Sequence, residues 1–400
     1  MNSPRNRHGL SPAFALLAGL LLAGLGSMCS SSGSRPGGAE RVYAVVSNGR
    51  SHTVTVIDLA ELRPVATIPV GHGPTDVRPR PGQPEVYVVA TDSNLVTVLD
   101  TRTWQARAQI AVGARPFFVD FAPDGSRAYV ANSASGTVSV LDCSARRVAA
   151  TLRVGLVPGM ARVSPDGRWV VVTNRGDSTV SLLSTNPLGV VATIAVADQP
   201  EAVAILPDSS KAFVSATGSG QVSAVDLGRR QLLANLPVGE TPVDLALKPD
   251  GGELFVANFD SHTITVINTW TNEVTETLQA GRHPTRVLTT PDGSLLYVSN
   301  FGSNQVFVVE TATRRVRANI PVGHQPDALA LAPERSLLLV ADSGSGDVAV
   351  IPTSGESFPT LVPVGLSPRA IAVVPVAAAP GEGKNAGGRA RIPPEAGRSR

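Results

Sequence analysis

An all-β chain follows from three observations. Gly and Pro are abundant, 38 and 32 of 400 residues, which argues for many turns and few long helices. Short runs rich in Val, Ile, Thr, Tyr and Phe recur between turn residues, and no window carries a 3.6-residue apolar period of useful length. Above all, the runs repeat in register. Pro74, Pro116, Pro158, Pro200, Pro242, Pro284, Pro326 and Pro368 are spaced by 42 residues in every interval, and Val54, Val96, Val138, Val180, Val222, Ile264, Val306 and Val348 keep the same step. Length alone would suggest two or three domains of about 150 residues each. The repeat replaces that reading with one array.

The chain starts like an export signal. Arg5, Arg7 and His8 precede the apolar run from Ala13 to Leu25. At about 1.5 Å per residue that run is about 20 Å long, short of the roughly 30 Å hydrocarbon core, so a cleaved signal peptide over 1–28 is preferred to a membrane span. Gly26-Ser27-Met28-Cys29 resembles the lipobox of bacterial lipoprotein signals, which implies lipidation at Cys29. Met28 is bulky where that family has a small residue, and simple cleavage further on is the competing reading. Residues 29–41 read as a flexible linker.

Each repeat unit then holds four strand-like runs. Around Pro242, Val243 to Leu247 ends at the turn signal Pro249-Asp250-Gly251. Leu254 to Asn258 follows, then the alternating Thr263 to Ile267, then Glu273 to Ala280. Each unit is therefore a four-stranded antiparallel meander, A to D counted from the Pro. Gly at the crossing from D to A permits a positive φ or a close approach, and Pro fixes φ where the ladder begins. Asn132, Asn174, Asn258, Asn300 and Asp342, near the end of strand B, can bond loop backbone. A sheet this small cannot bury both faces alone, and radial stacking buries them: a β-propeller over 42–376. The chain enters at strand B, and its last run, Arg369 to Val374, is a strand A without followers. Pairing of that run with the N-terminal unit closes the ring and makes eight blades, with seven the alternative count. From 377 the chain is Ala, Gly and Pro with a basic excess, composition that cannot bury enough to fold.

Three elements in register resemble the YVTN-repeat β-propeller family of bacterial and archaeal envelope proteins. Tyr129-Val130-Ala131-Asn132 and Tyr297-Val298-Ser299-Asn300 match its first motif, and Thr53-Val54-Thr55-Val56-Ile57-Asp58 and Thr137-Val138-Ser139-Val140-Leu141-Asp142 its second. The Gly-x-x-Pro crossings match the third. The resemblance covers residues 42 to about 375. It implies an envelope protein and leaves function open, because the family holds binding proteins, a nucleic-acid-binding member, and relatives among lactonases and cofactor-bearing oxidoreductases.

Function in such a ring is expected on the face made by the crossings and B–C loops. His72, Arg115, Phe117, Phe118, Arg282, His283, Arg286, His324 and Arg369 are the ligand- or partner-binding candidates there. Mixed charge on that rim suits a small polar ligand or a protein partner. No cofactor or metal is called: the histidines come from separate crossings, whereas ligands must lie within about 2.2 Å of a metal. No nucleophile elbow, Walker loop or His-Glu-x-x-His occurs, and no catalytic residue is assigned. Cys143 reads as an inert thiol. Formal net charge is +2, and setting aside Arg5, Arg7 and the tail leaves 27 basic and 30 acidic residues, so no nucleic acid is expected. The leading reading is an exported or lipid-anchored, monomeric, non-enzymatic propeller that binds a partner or ligand. A lactonase-like hydrolase with its site at the channel mouth and an accessory propeller of an envelope redox system are the alternatives. Cys29→Ala should move the protein from the membrane to the soluble fraction of the envelope; an unchanged membrane fraction excludes lipidation.

Overall fold

The computed structural model describes residues 40–354 and 358–376. The signal, most of the linker and the basic tail, with Cys29, lie outside the described residues. Eight four-stranded antiparallel sheets form a closed ring. Blade 1 consists of Arg41–Asn48, Thr53–Asp58, Arg63–Pro69 and the last strand, Pro368–Val376. That last strand runs antiparallel to the first from Arg41↔Val376 to Asn48↔Pro368. Both ends of the chain are thus pinned in one sheet, and the count of eight holds. The inner strands of blades 2 to 8 are Pro74–Pro79, Pro116–Phe121, Pro158–Val163, Pro200–Ile205, Pro242–Leu247, Pro284–Thr289 and Pro326–Ala332.

The core lies between blades, not within them. Each apolar cluster joins two neighbouring sheets; Tyr87, Val96 and Val98 of blade 2, for example, pack on Val119, Val130 and Leu141 of blade 3. The two central strands of each blade are consequently covered on both faces and read as nearly continuous apolar runs. This corrects one expectation. The polar–apolar alternation of strand C does not mark a half-buried strand, since Thr55 and Ser139 are buried. Asn48 Nδ2 donates to Thr53 and Thr55, and Asn132 Nδ2 donates to Thr137 and Ser139. Asn48, Asn132, Asn174 and Asn258 therefore bond strand-C hydroxyls rather than loop backbone, whereas Asn300 Nδ2 donates to the Val298 carbonyl and Asp342 accepts the N–H of the crossing Gly323 at 3.0 Å, as expected. The half-exposed strand is the outer one, as at Arg147–Arg153.

Ion pairs staple the outer parts of some blades together. Glu85 of blade 2 is buried and accepts bonds from Arg80 (2.9 Å) and from Arg146 of blade 3 (3.0 Å). Four repeats on, Glu253 of blade 6 meets Arg314 of blade 7. Between blades 5 and 6 a lysine does the same work, with Lys211 Nζ 2.7 Å from Asn272 Oδ1.

The crossing glycine has a steric cause. A Cβ on Gly113 would lie 2.6 Å from the Asn132 carboxamide carbon, and one on Gly365 would lie 2.7 Å from the Asn48 Cβ. Gly113, Gly155, Gly239, Gly281 and Gly365 lie against the strand-B asparagine of the next blade, while Gly71 meets Ala90 and Gly323 meets Asp342. The last of these contacts, Gly365 on Asn48, belongs to the closing blade. Where the chain has Ala197 instead of Gly, the facing residue is Ala216, so the added methyl is matched by a lost amide. Gly113→Ala should therefore cost about 1–3 kcal/mol through overpacking. In an Asn132→Ala background the same change should cost at least 1 kcal/mol less, a coupling measurable by denaturant melts of the double-mutant cycle. Additive costs would exclude the contact as the reason for the glycine.

Candidate functional site

One face of the ring is built by the crossings and the B–C loops. Every crossing places a positive φ immediately before its proline: Gly73, Arg115, Val157, Gln199, Thr241, His283, Gln325 and Ser367 all lie between 50° and 62°. The left-handed residue is therefore this one, not the crossing glycine, which has a positive φ only at Gly71. For a β-branched residue such as Val157 the conformation is costly. Loop side chains hold it in place. Crossing N–H groups bond to side chains 21 residues away, as in Arg115 to Asn94 Oδ1 (2.8 Å), Leu156 to Asp177 Oδ2 (2.9 Å), His324 to Ser345 Oγ (2.9 Å) and Gln325 to Asn304 Oδ1 (3.0 Å).

The same 21-residue relation pairs histidines. His52 Nδ1 accepts the Gly73 N–H at 3.1 Å, and its ring meets His72 at 4.5 Å. Five repeats on, His262 Nδ1 accepts the His283 N–H at 3.2 Å and its ring lies 4.7 Å from His283. His283 in turn stacks on Phe259 at 4.4 Å. His324 Nδ1 lies 3.1 Å from Asn304 Nδ2. By spacing, His52 and His262 share a phase and fall on this face; their pairing with the crossings, and Phe259 beside His283, was missed, and the fixed loop-to-crossing spacing was the signal that could have found it. The residues a hydrolase would use, His72, Arg282 and His324, lead into blades 2, 7 and 8 and each has its own loop partners.

The other candidates divide between the mouth and the channel. Phe117 is 44% exposed at the mouth, with its carbonyl held by Thr75 Oγ1 at 3.1 Å. Phe118 is buried, and the Arg78 and Arg162 guanidiniums lie 4.7 and 5.0 Å from its ring centre. The pair of phenylalanines splits because neighbouring strand residues point to opposite sides. Arg115 lies 3.4 Å from Asp92 at the rim, and Arg369 lies 3.4 Å from Asp327.

Inner-strand charges gather behind the mouth: Asp76, Glu201, Asp244, Arg286 and Asp327 belong to the mixed-charge rim read from sequence, and Arg78, Asp120 and Arg162 were missed. Asp76 accepts the Val119 N–H of the next blade, and Asp120 and Asp244 do the same for Val163 and Val287. Burial lowers Arg162, assisted by the like charge of Arg78, against Asp120, Asp76 and Asp244. Burial raises the Asp244 and Glu201 carboxyls, opposed by Arg286 at the first and by Arg175 and Arg286 at the second. Burial also opposes the charge of Arg286, but Asp244, Asp327, Glu201 and Asp76 outweigh it and leave Arg286 above its usual value.

Two clefts open at this mouth, of about 420 and about 520 Å³, and Arg286 and Asp327 line both. Clefts of about 490 and 510 Å³ also occur on the opposite face, walled largely by turn prolines and backbone. Size does not separate the faces; concentrated charge and an exposed aromatic ring do. Among the described residues no group of three or more His, Cys, Asp or Glu could hold a metal. Cys143 is buried on the far side, and burial pushes its thiol up to about 11.

One crossing carries a titratable irregularity. Asp342 of blade 8 stands where five of the other blades have asparagine, and Asp347 stands where four of those five have threonine. Burial, then the adjacent Asp347 carboxyl, pushes Asp342 up to about 8 from 3.8. Because the folded value lies above the unfolded one, its stability contribution is whole below about pH 4 and is lost as pH rises through about 8. Asp342→Asn should therefore stabilise the protein by about 3 kcal/mol at pH 8 and by little at pH 4. Thermal melts across that range check it; equal stabilisation at both ends excludes the buried acid as the cause.

Residues 80–236 match the YNCE-like beta-propeller family model. No curated protein matches the sequence. Among solved structures the chain is similar to hydrazine synthase from Kuenenia stuttgartiensis, at 22% identity and TM-score 0.59, over 70% of this chain and 96% of that one. It is also similar to dihydro-heme d1 dehydrogenase NirN in complex with DHE (16%, TM-score 0.69, 82% and 74%). A third similar structure is apo AztD from Citrobacter koseri (13%, TM-score 0.66, 86% and 100%). At these identities the likeness is one of fold.

Proposed function

Taking the chain as a propeller with a YNCE-like segment over 80–236, we propose that it is an exported binding protein whose ligand or partner docks at the crossing-loop mouth of the channel. The observation that carries this reading is the meeting of two clefts at Arg286 and Asp327, with Phe117 exposed beside them. Charges of both signs there suit a polar ligand; nothing in the arrangement resembles the continuous basic track that a polyanion needs. Strained residues before each proline fit the same reading, since such strain persists where a rigid surface is presented.

Orientation supports attachment to the envelope. Arg41 pairs with Val376, so the chain enters and leaves the ring on the face opposite the mouth. The basic tail starts from the same face. A second reading, an accessory propeller of an envelope redox system, draws on the titles of the hydrazine synthase and NirN structures. It calls for copurification with a quinone or haem protein.

Amide hydrogen exchange of the full chain, with and without the small-molecule extract of the producing cell, tests the binding reading. Protection should fall on the crossings around Arg115, Arg286 and Arg369. Protection confined to the A–B turns, such as Pro81 to Pro84, would overturn it.

A further inference from the structure

The ligand class of the mouth can be narrowed, and this step rests on the binding reading above. The cleft of about 420 Å³ carries Arg50, Arg115, Arg286 and Arg369 against Asp92 and Asp327. Two of the arginines are engaged, Arg115 with Asp92 and Arg369 with Asp327, each at 3.4 Å. Arg50 and Arg286 form no ion pair among the described residues, so two guanidiniums of this cleft have no bonded carboxylate. The neighbouring cleft shares Arg286 and Asp327 and adds Arg175, which Glu201 already holds at 3.0 Å.

Arg286 is the informative one. It is half-buried, and among the described residues its guanidinium makes one hydrogen bond, from Nη1 to the adjacent Thr285 carbonyl at 3.3 Å. Asp244, Asp327, Glu201 and Asp76 keep it charged through their field without bonding it. A guanidinium has five donors in a fixed fork, and leaving most of them unused in a half-buried position is costly. The fork matches a carboxylate bidentately. Phe117 supplies the second ingredient, an exposed ring lining the same cleft. Its position is set by backbone, since Thr75 Oγ1 bonds the Phe117 carbonyl and Thr91 Oγ1 bonds that of Pro116 at 2.6 Å.

We propose that this cleft binds a small organic anion, a carboxylate on a flat apolar body. Arg286 takes the carboxylate, the body lies on Phe117, and exposed Arg50 adds long-range attraction at the rim. Arg369 holds Asp327 at 3.4 Å, and the bidentate contact with Arg286 must outweigh the remaining field of Asp327, Asp244, Glu201 and Asp76 on the anion.

Calorimetric titration of the full chain with benzoate, benzamide, benzylamine and inorganic phosphate tests this. Benzoate should bind, and binding should weaken as salt rises from about 0.05 to about 0.5 M. Arg286→Gln should lower its affinity about tenfold or more, with Arg286→Lys between Gln and wild type. Phe117→Ala should weaken benzoate severalfold and leave phosphate unchanged; because Phe117 is exposed, this variant tests the cleft independently of any folding defect in the Arg286 variants. Benzamide binding as well as benzoate, an unchanged Arg286→Gln, or no anion binding at millimolar concentration each overturns the proposal. Phosphate binding more tightly than benzoate, with Phe117→Ala neutral for both, overturns the organic body. If benzylamine or an extract component protects the crossings while benzoate does not, the carboxylate fails and the binding reading stands. Protection on the opposite face sinks both.

Discussion

No blade of this protein can cover itself, and the ring depends on that constraint. Each apolar cluster belongs to two adjacent sheets, so removing any blade would expose apolar surface on both its neighbours. The ring must therefore close, and it closes by one pairing, Pro368–Val376 against Arg41–Asn48. Val42, Ala44 and Val46 of that first strand then pack on Leu339, Val348 and Val350 of blade 8. The same pairing brings Arg369 to the mouth beside Asp327, so closure of the fold and assembly of the site are one event.

Inside that frame, the crossings show how local strain is tolerated. A left-handed residue before each proline costs free energy at seven of the eight crossings, Gly73 alone adopting it freely. Side chains from the flanking B–C loops offset it by satisfying the crossing N–H groups. The glycine-on-asparagine contact works beneath them, and Ala197 facing Ala216 shows the constraint to be one of volume rather than of residue type. Blade 8 departs from this plan with two carboxyls, Asp342 and Asp347, where a neutral pair serves elsewhere. The face that carries the candidate site is thus rigid in backbone and variable in side chain, the division of labour that binding loops require.

Much of this was legible in the residues. The eight-blade count and the face of the candidate site follow from spacing. The roles of particular side chains did not follow in the same way. Phe117 and Phe118 are adjacent and alike in sequence, yet one is an exposed ring at the mouth and the other lies between two arginines. Strand C read as half-buried because its polar residues alternate, but their hydroxyls are buried partners of asparagine. The histidines read as isolated because they were compared from crossing to crossing; their partners sit in the loop 21 residues earlier or nearby.

The sequence by itself determined the number of blades, their strand order, the closing strand and the loops that share a face. Those are consequences of periodicity, and a 42-residue register kept without insertion allows one topology. Only the tertiary structure decided what meets at the mouth. Arg50 and Arg369 come from opposite ends of the chain within blade 1, Arg115 leads into blade 3 and Arg286 lies in blade 7, and whether each finds a carboxylate depends on distances across the channel. Coulomb attraction and desolvation vary over a few ångströms, a scale that repeat spacing does not encode.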